Sequence, residues 1–348
     1  MFRRSVSLAA VSALFASQAW ACAFHGYNPQ ITFVERLLGS EHIVLARPSE
    51  ARPFRYSDIE VLEGTADYVD IPHLVDSIAR RRLAANPDDH ILFARDGAYG
   101  PWQRIAYVNP AMQDVLDVVM AELPEWEMGA DEERFAYFAS LLNHPDKEVH
   151  ALALRELDLA DYSILRQLVL DVDPQRLISR LGLQSETDLR PIRVLLLGLS
   201  GARIDQAFFE NGVAKSSDYS GGMLGALAMA MVEHGGSEAA LRLVNDHLLG
   251  RDLSQDSREQ LVEVLAIHGT VGDEKMRETV QAALGQALRQ DPGLVAMAAR
   301  QLGARWDWSQ SELVSELMRS GKIKSPLDML VATQYVALAQ ESADLVQN

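Results

Sequence analysis

Cys22-Ala23-Phe24-His25 sets a thiol three residues ahead of an imidazole, and Cys22 is the only cysteine among 348 residues. At a mature N-terminus Cys22 would offer an amine and a thiolate, and His25 a ring nitrogen. Such a set suits soft or borderline ions, Cu(I) or Zn(II). With no second cysteine, neither an internal disulfide nor a four-cysteine zinc module can form. His234 and His268 are the other imidazoles on apolar helical faces, at equivalent places 34 residues apart. Stacked helices lie about 10 Å apart, too far for two rings that must each approach one ion to about 2.1 Å. Each is expected to pack and bond a neighbouring carbonyl.

No other spacing matches a reaction. Gly198-Leu199-Ser200-Gly201 falls one residue short of a nucleophile elbow, and Asp171-Val172-Asp173 before Pro174 reads as a helix N-cap. His-Glu-x-x-His, the Gly-x-x-x-x-Gly-Lys-Ser/Thr phosphate cradle and the EF-hand loop do not occur. No catalytic residue is assigned, and a non-enzymatic role is expected. Binding candidates remain. Arg80, Arg81 and Arg82 form the one basic cluster, and with Tyr99, Trp102 and Arg104 they offer arginine beside aromatic rings, a pairing enriched at interfaces. Trp306 and Trp308 offer the same after Gly303.

Charge narrows the partner. The chain carries 32 basic against 49 acidic residues, a formal net charge of -17, which disfavours nucleic acid and anionic membranes. Residues 127–348 hold 33 acids and 21 bases, so a protein partner with a basic patch is favoured.

Met-Phe-Arg-Arg, the apolar run Val6–Ala16 and the small residues Ala19, Ala21 and Ala23 read as a secretory signal peptide over 1–21. Its removal takes the charge to -19. Cleavage after Ala21 leaves Cys22 first, cleavage after Ala23 discards it, and cleavage after Ala19 leaves it third. A periplasmic or secreted protein is expected, with a lipid anchor through Cys22 as the alternative. No later stretch approaches the roughly 18 apolar residues of a transmembrane helix.

Two architectures follow. From 22 to 126 the pattern is strand-rich: His42–Ala46, Phe54–Leu62 and His90–Ala94, then a turn through Asp96-Gly97 to Trp102–Val108. Ile71–Ala85 and Pro110–Leu123 read as helices. His42-Ile43-Val44-Leu45-Ala46, Val61-Leu62-Glu63-Gly64, Ile91-Leu92-Phe93-Ala94 and a cysteine at the mature start together resemble the netrin-like module. The resemblance implies a small OB-type barrel with a terminal helix. That family ties its N-terminal cysteine into a disulfide, and this chain has no partner for it.

From Asp131 the period becomes 3.6, with Phe135, Phe138, Ala139 and Leu142 on one stripe and Val149, Leu152, Ala153 and Leu157 on the next. Gly201, Gly235, Gly269 and Gly303 then recur every 34 residues. Leu196, Ala230, Val264 and Ala298 share one preceding column, and Leu197, Met231, Leu265 and Ala299 another. Met329, Ala332 and Val336 fit a fifth row. A fixed period of this length indicates stacked helical repeats, with glycine expected as the left-handed cap at each helix exit. Asn143-His144-Pro145-Asp146 and the Ala151–Leu157 helix resemble a HEAT-type repeat. The expected protein is therefore a β-rich OB/netrin-like domain (22–126) followed by an all-α HEAT-like superhelical solenoid (127–348). It is expected to be an exported scaffold or adaptor that binds a protein partner, with Cu or Zn handling at Cys22 and His25 as the alternative.

Overall fold

The computed structural model describes residues 30–65, 69–97, 99–217, 223–250 and 252–346. These divide into two compact units, 30–171 and 172–346.

The first unit is built on four antiparallel strands, β1 (His42–Ser49), β2 (Arg52–Glu63), β3 (His90–Arg95) and β4 (Gln103–Val108), in the order β2-β1-β3-β4. Ile43, Val44, Leu45 and Ala46 of β1 are all buried, because this central strand is covered on both faces. On one face Val44 and Ala46 pack with Tyr56, Ile91, Phe93 and Tyr107 under Ala79 and Leu83 of α2 (Ser77–Ala85). The alternate residues Ile43, Leu45, Leu92 and Ala94 point the other way by the strand's pleat. α1 (Phe33–Leu38), opened by a Thr32–Glu35 capping box, packs against α3 (Pro110–Glu127), which is capped by Asn109 with Pro110 at its first position and which also touches β4. β2 and β4 are the two edges, and no pairing joins them among the described residues. The closure of an OB-type barrel is thus not formed by these strands.

Two features differ from expectation. The helix expected over Ile71–Ala85 begins only at Ser77, where the Asp76 carboxylate accepts from the amides of Ile78 and Ala79. Upstream, Leu74 and Val75 instead extend along β2, bridging Arg55 and bonding Phe54 O. The helices α4 (Asp131–Ser140) and α5 (Lys147–Leu159), with the short α6 (Tyr162–Leu165), belong to this unit. The division falls at 171/172 where the sequence pattern suggested 126/127. Within this unit a buried polar tie, described below, joins α1, α4 and α5.

The second unit is helical: α7 (Pro174–Arg180), α8 (Arg190–Leu199), α9 (Gln206–Ser216), α10 (Met223–Arg242, broken at Gly236), α11 (Gln255–Val271), α12 (Glu274–Gln290), α13 (Val295–Gly303), α14 (Ser311–Arg319) and α15 (Pro326–Val346). The helices that carry the 34-residue columns pack in chain order, α8 on α10, α10 on α11, α11 on α13 and α13 on α15. The column residues Leu196, Ala230, Val264 and Ala298 are fully buried. At Gly198 a Cβ would come within 2.5 Å of Ala230 Cα, so α8 and α10 touch backbone to backbone.

The repeat glycines do not share the cap role expected of them. Gly201 has φ 65, but in the next row the left-handed residue is Gly236 (φ 62), and α11 runs through Gly269 to Val271. At Gly235 and Gly269 the requirement is space. A Cβ would lie 2.8 Å from Gln206 Nε2 at the first and 3.3 Å from Val280 Cγ1 at the second.

Candidate functional site

In the fourth row the left-handed position is taken by tryptophan. The amide of Trp306 donates to Gly303 O (3.1 Å) and that of Asp307 to Leu302 O (3.0 Å), the paired bonds of a Schellman motif with Trp306 at the place glycine usually fills. Trp306 has φ 57, the one positive φ outside glycine among the described residues, a backbone state that costs an L-residue about 1 kcal/mol or more. Its side chain is nevertheless 76% exposed. Trp308 stands edge-on to it at 6.1 Å between ring centroids, and Tyr335 of α15 lies 5.3 Å beyond Trp308. Tyr335 anchors the turn from inside: its hydroxyl donates to Asp307 O at 2.8 Å, and burial pushes its phenol above the usual range.

The turn is held from α11 as well. Arg305 Nη2 reaches Glu263 Oε1 at 3.2 Å, and its Nη1 donates to Gln301 O and Oε1. One helical turn away, Glu259 receives the Arg300 guanidinium and Gln301 Nε2. Burial pushes the Glu263 carboxyl up to about 7 against the pull of Arg305. The α11–α13 seam is thus an acid–arginine ladder ending at Trp306. His268 bonds Val264 O through Nδ1 and faces Glu233 through Nε2 at 3.3 Å, while His234 bonds Ile204 O. Both are packed histidines.

The first-unit candidates separate. Consecutive residues on a helix point about 100° apart, so the arginine triplet cannot make one surface. Arg82 lies over the Tyr107 ring (3.6 Å) and pairs with Glu148 (3.4 Å). Arg80 lies over Phe54 (4.9 Å), and Arg81 bonds only back to Ser77 O of its own helix. Arg104 pairs with Asp76 at 3.0 Å; together with the Ala79 amide it holds that carboxyl below the usual range. Trp102 is buried beneath Arg95 and belongs to the core, whereas Tyr99 stands wholly exposed. Cys22 and His25 lie outside the described residues. Among the described residues no three of His, Cys, Asp and Glu converge as a metal site, and no helix is long and apolar enough to cross a membrane.

Glu259, Glu263, Arg300 and Arg305 escaped sequence reasoning. Ion pairs spanning some 40 residues carry no local signal, although the 34-residue register, extended from its glycines to its charges, would have placed them on neighbouring helices. Comparison of the chain with protein-family models, curated proteins and solved structures gives no match.

Proposed function

We propose that this protein is an exported, non-enzymatic scaffold whose 172–346 unit is a HEAT-like helical stack that binds a protein partner through the Trp306–Trp308 turn. One observation carries the reading: a large aromatic side chain stands exposed at a backbone position where glycine would relieve strain. Exposed tryptophan anchors binding energy at interfaces, and a strained backbone held by surrounding contacts is a mark of functional sites. The columns packing in chain order support a repeat scaffold, since such stacks present extended surfaces. The N-terminal Arg3-Arg4 and apolar run support export. The acid excess favours a basic patch on the partner.

The test is crosslinking in cells between the full chain and its neighbours, compared for the parent protein and Trp306→Gly. Expected is a specific adduct that the variant loses while its melting temperature stays level or rises. An unchanged adduct pattern removes Trp306 from the interface, and turnover of a substrate by the purified chain would replace the scaffold reading with an enzymatic one.

A further inference from the structure

A second surface lies on the same unit, on the outer side of α15. α10, α11 and α13 each pack between two column helices, whereas α15 lies against α13 and α14 and turns Ala332, Tyr335 and Ala339 inward, all three buried. Its opposite side is not polar. Leu327, Val331, Gln334, Leu338, Glu341 and Leu345 follow one another at alternate steps of four and three, and at 100° per residue they share with Leu330 a sector of about 100°. Leu327 is 67% exposed, Leu330 59% and Leu345 80%, while Val331 and Leu338 are half-buried at the margin nearer the core. An aliphatic stripe open to water marks an interaction site. Steps of four and three are the spacing by which one helix seats its side chains between those of a facing helix.

The charges along this helix run from basic to acidic. Arg319, Lys322 and Lys324 lead into it, all exposed, and residues 319–324 hold no acid. Residues 325–348 hold no lysine or arginine, and their acids are Asp328, Glu341 and Asp344. Asp328 is half-buried in the first turn, about 100° round from Leu327 and off the stripe. Glu341 lies on the stripe, and Asp344 adjoins Leu345 at its far end. The helix dipole adds to this gradient, positive at the entry and negative at the exit. The stripe is therefore complementary in charge to itself once turned end for end.

We infer that α15 docks antiparallel against α15 of a second copy of this chain, about a two-fold axis. Centring the pair between Ala332 and Thr333 sets Leu327 opposite the second copy's Leu338 and Val331 opposite its Gln334, and it brings Lys324 level with its Glu341, each contact made twice. Sliding by one heptad would press the Glu341 carboxylate against Val331 with no countercharge, which desolvation penalises. A parallel pair would bring the acidic ends together and align the dipoles. An anionic bilayer draws on lysine and arginine along a helix's polar side, and α15 has neither. Both copies are acidic overall, but beyond about 8 Å in physiological salt that repulsion is screened, so the charges of the stripe set the orientation. A strip about 27 Å long and one helix wide falls short of the roughly 1,200 Å² of a lasting interface. The dimer is thus reversible, with a dissociation constant in the micromolar range. This inference stands independently of the Trp306 reading.

The experiment is sedimentation velocity of the full chain in physiological salt, from about 1 to about 300 μM. A monomer–dimer equilibrium is expected. Leu327→Glu, at a site already in water, should weaken it by at least about tenfold. Should that variant melt early, Leu330→Glu takes its place. Lys324, whose amine bonds Gly321 O, and Glu341 are both exposed. Lys324→Glu and Glu341→Lys should each weaken the dimer, and the two in one chain should restore it, because the exchanged charges meet again across the axis. Trp306→Gly should leave the equilibrium unchanged. A monomer at every concentration, a dimer indifferent to the leucine substitution, or a double exchange that recovers nothing lost by the single ones would overturn the inference.

Discussion

Arg134 and Glu156 form an ion pair of 2.6 Å in which the side chains retain 6% and 0% of their exposure. The second carboxylate oxygen accepts from the Val34 amide at 2.9 Å, and the same guanidinium nitrogen reaches Thr32 Oγ1 at 3.2 Å. Two helices that follow the sheet in sequence are thereby fastened to the N-terminus of the helix that precedes it. Burial pushes the Glu156 carboxyl up, and Arg134 and the Val34 amide pull it back.

Removing one partner strands the other. Arg134→Ala should destabilise the chain by about 3–5 kcal/mol, because it leaves a buried carboxylate without its countercharge. The double replacement Arg134→Met, Glu156→Leu should recover most of that loss. Urea unfolding read by circular dichroism separates the two; equal losses in the single and double variants would show that the pair's geometry, and not the orphaned charge, matters.

Glu263 should make stability depend on pH. Its folded value of about 7 stands above the ordinary 4.5, so between those limits the folded state binds more protons than the unfolded one. Stability from this group is therefore fully present below about pH 4.5 and is lost as pH rises through 7. Melting temperature against pH should show that decline, and Glu263→Gln should flatten it. An identical slope in the variant would assign the decline to other groups.

At the Trp306 turn, Trp306→Gly should raise stability by about 1 kcal/mol through relief of the left-handed backbone, offset by whatever packing Trp308 loses. Trp306→Ala keeps the strain and loses the ring, so it should melt below the parent. The order Gly, parent, Ala in a thermal scan is the expected result, and Ala melting above Gly would deny that the backbone is strained.

The glycines of the helical unit should respond according to their neighbours. Gly198→Ala drives a methyl against the Ala230 backbone, which cannot swing aside, and should cost about 1–3 kcal/mol. Gly269→Ala meets only Val280 Cγ1 at 3.3 Å inside a continuous helix, where alanine's better propensity offsets the crowding. Chemical denaturation of the two variants should differ in midpoint by more than either error. Equal midpoints would mean that α8 and α10 can move apart freely.

Much of the local structure was legible. His42–Ala46 and His90–Ala94 are apolar runs bounded by turn residues, and they are the two inner strands. Asn109-Pro110 opens a helix as cap chemistry requires, and the 34-residue columns fall on helices that pack in chain order. Less legible were features in which tertiary contact overrode local preference. Ile71–Leu74 has a helical look, yet pairing with the β2 bulge holds it extended. The shared column made Gly201, Gly235, Gly269 and Gly303 look alike, whereas one is a left-handed cap and two make room for a neighbour.

Sequence alone determined what depends on short separations: strand and helix periods, caps, the repeat length, the sign of the charge and the place of the lone cysteine. These follow from backbone sterics and from the spacing of apolar residues within a few turns. Tertiary structure alone decided that Phe54 and Trp306 stand in solvent while Trp102 is buried, and that the helices between Asp131 and Leu165 belong to the unit of the sheet. Each of those outcomes depends on partners some 25 to 120 residues away, whose positions exist only once the chain has packed and desolvated them together.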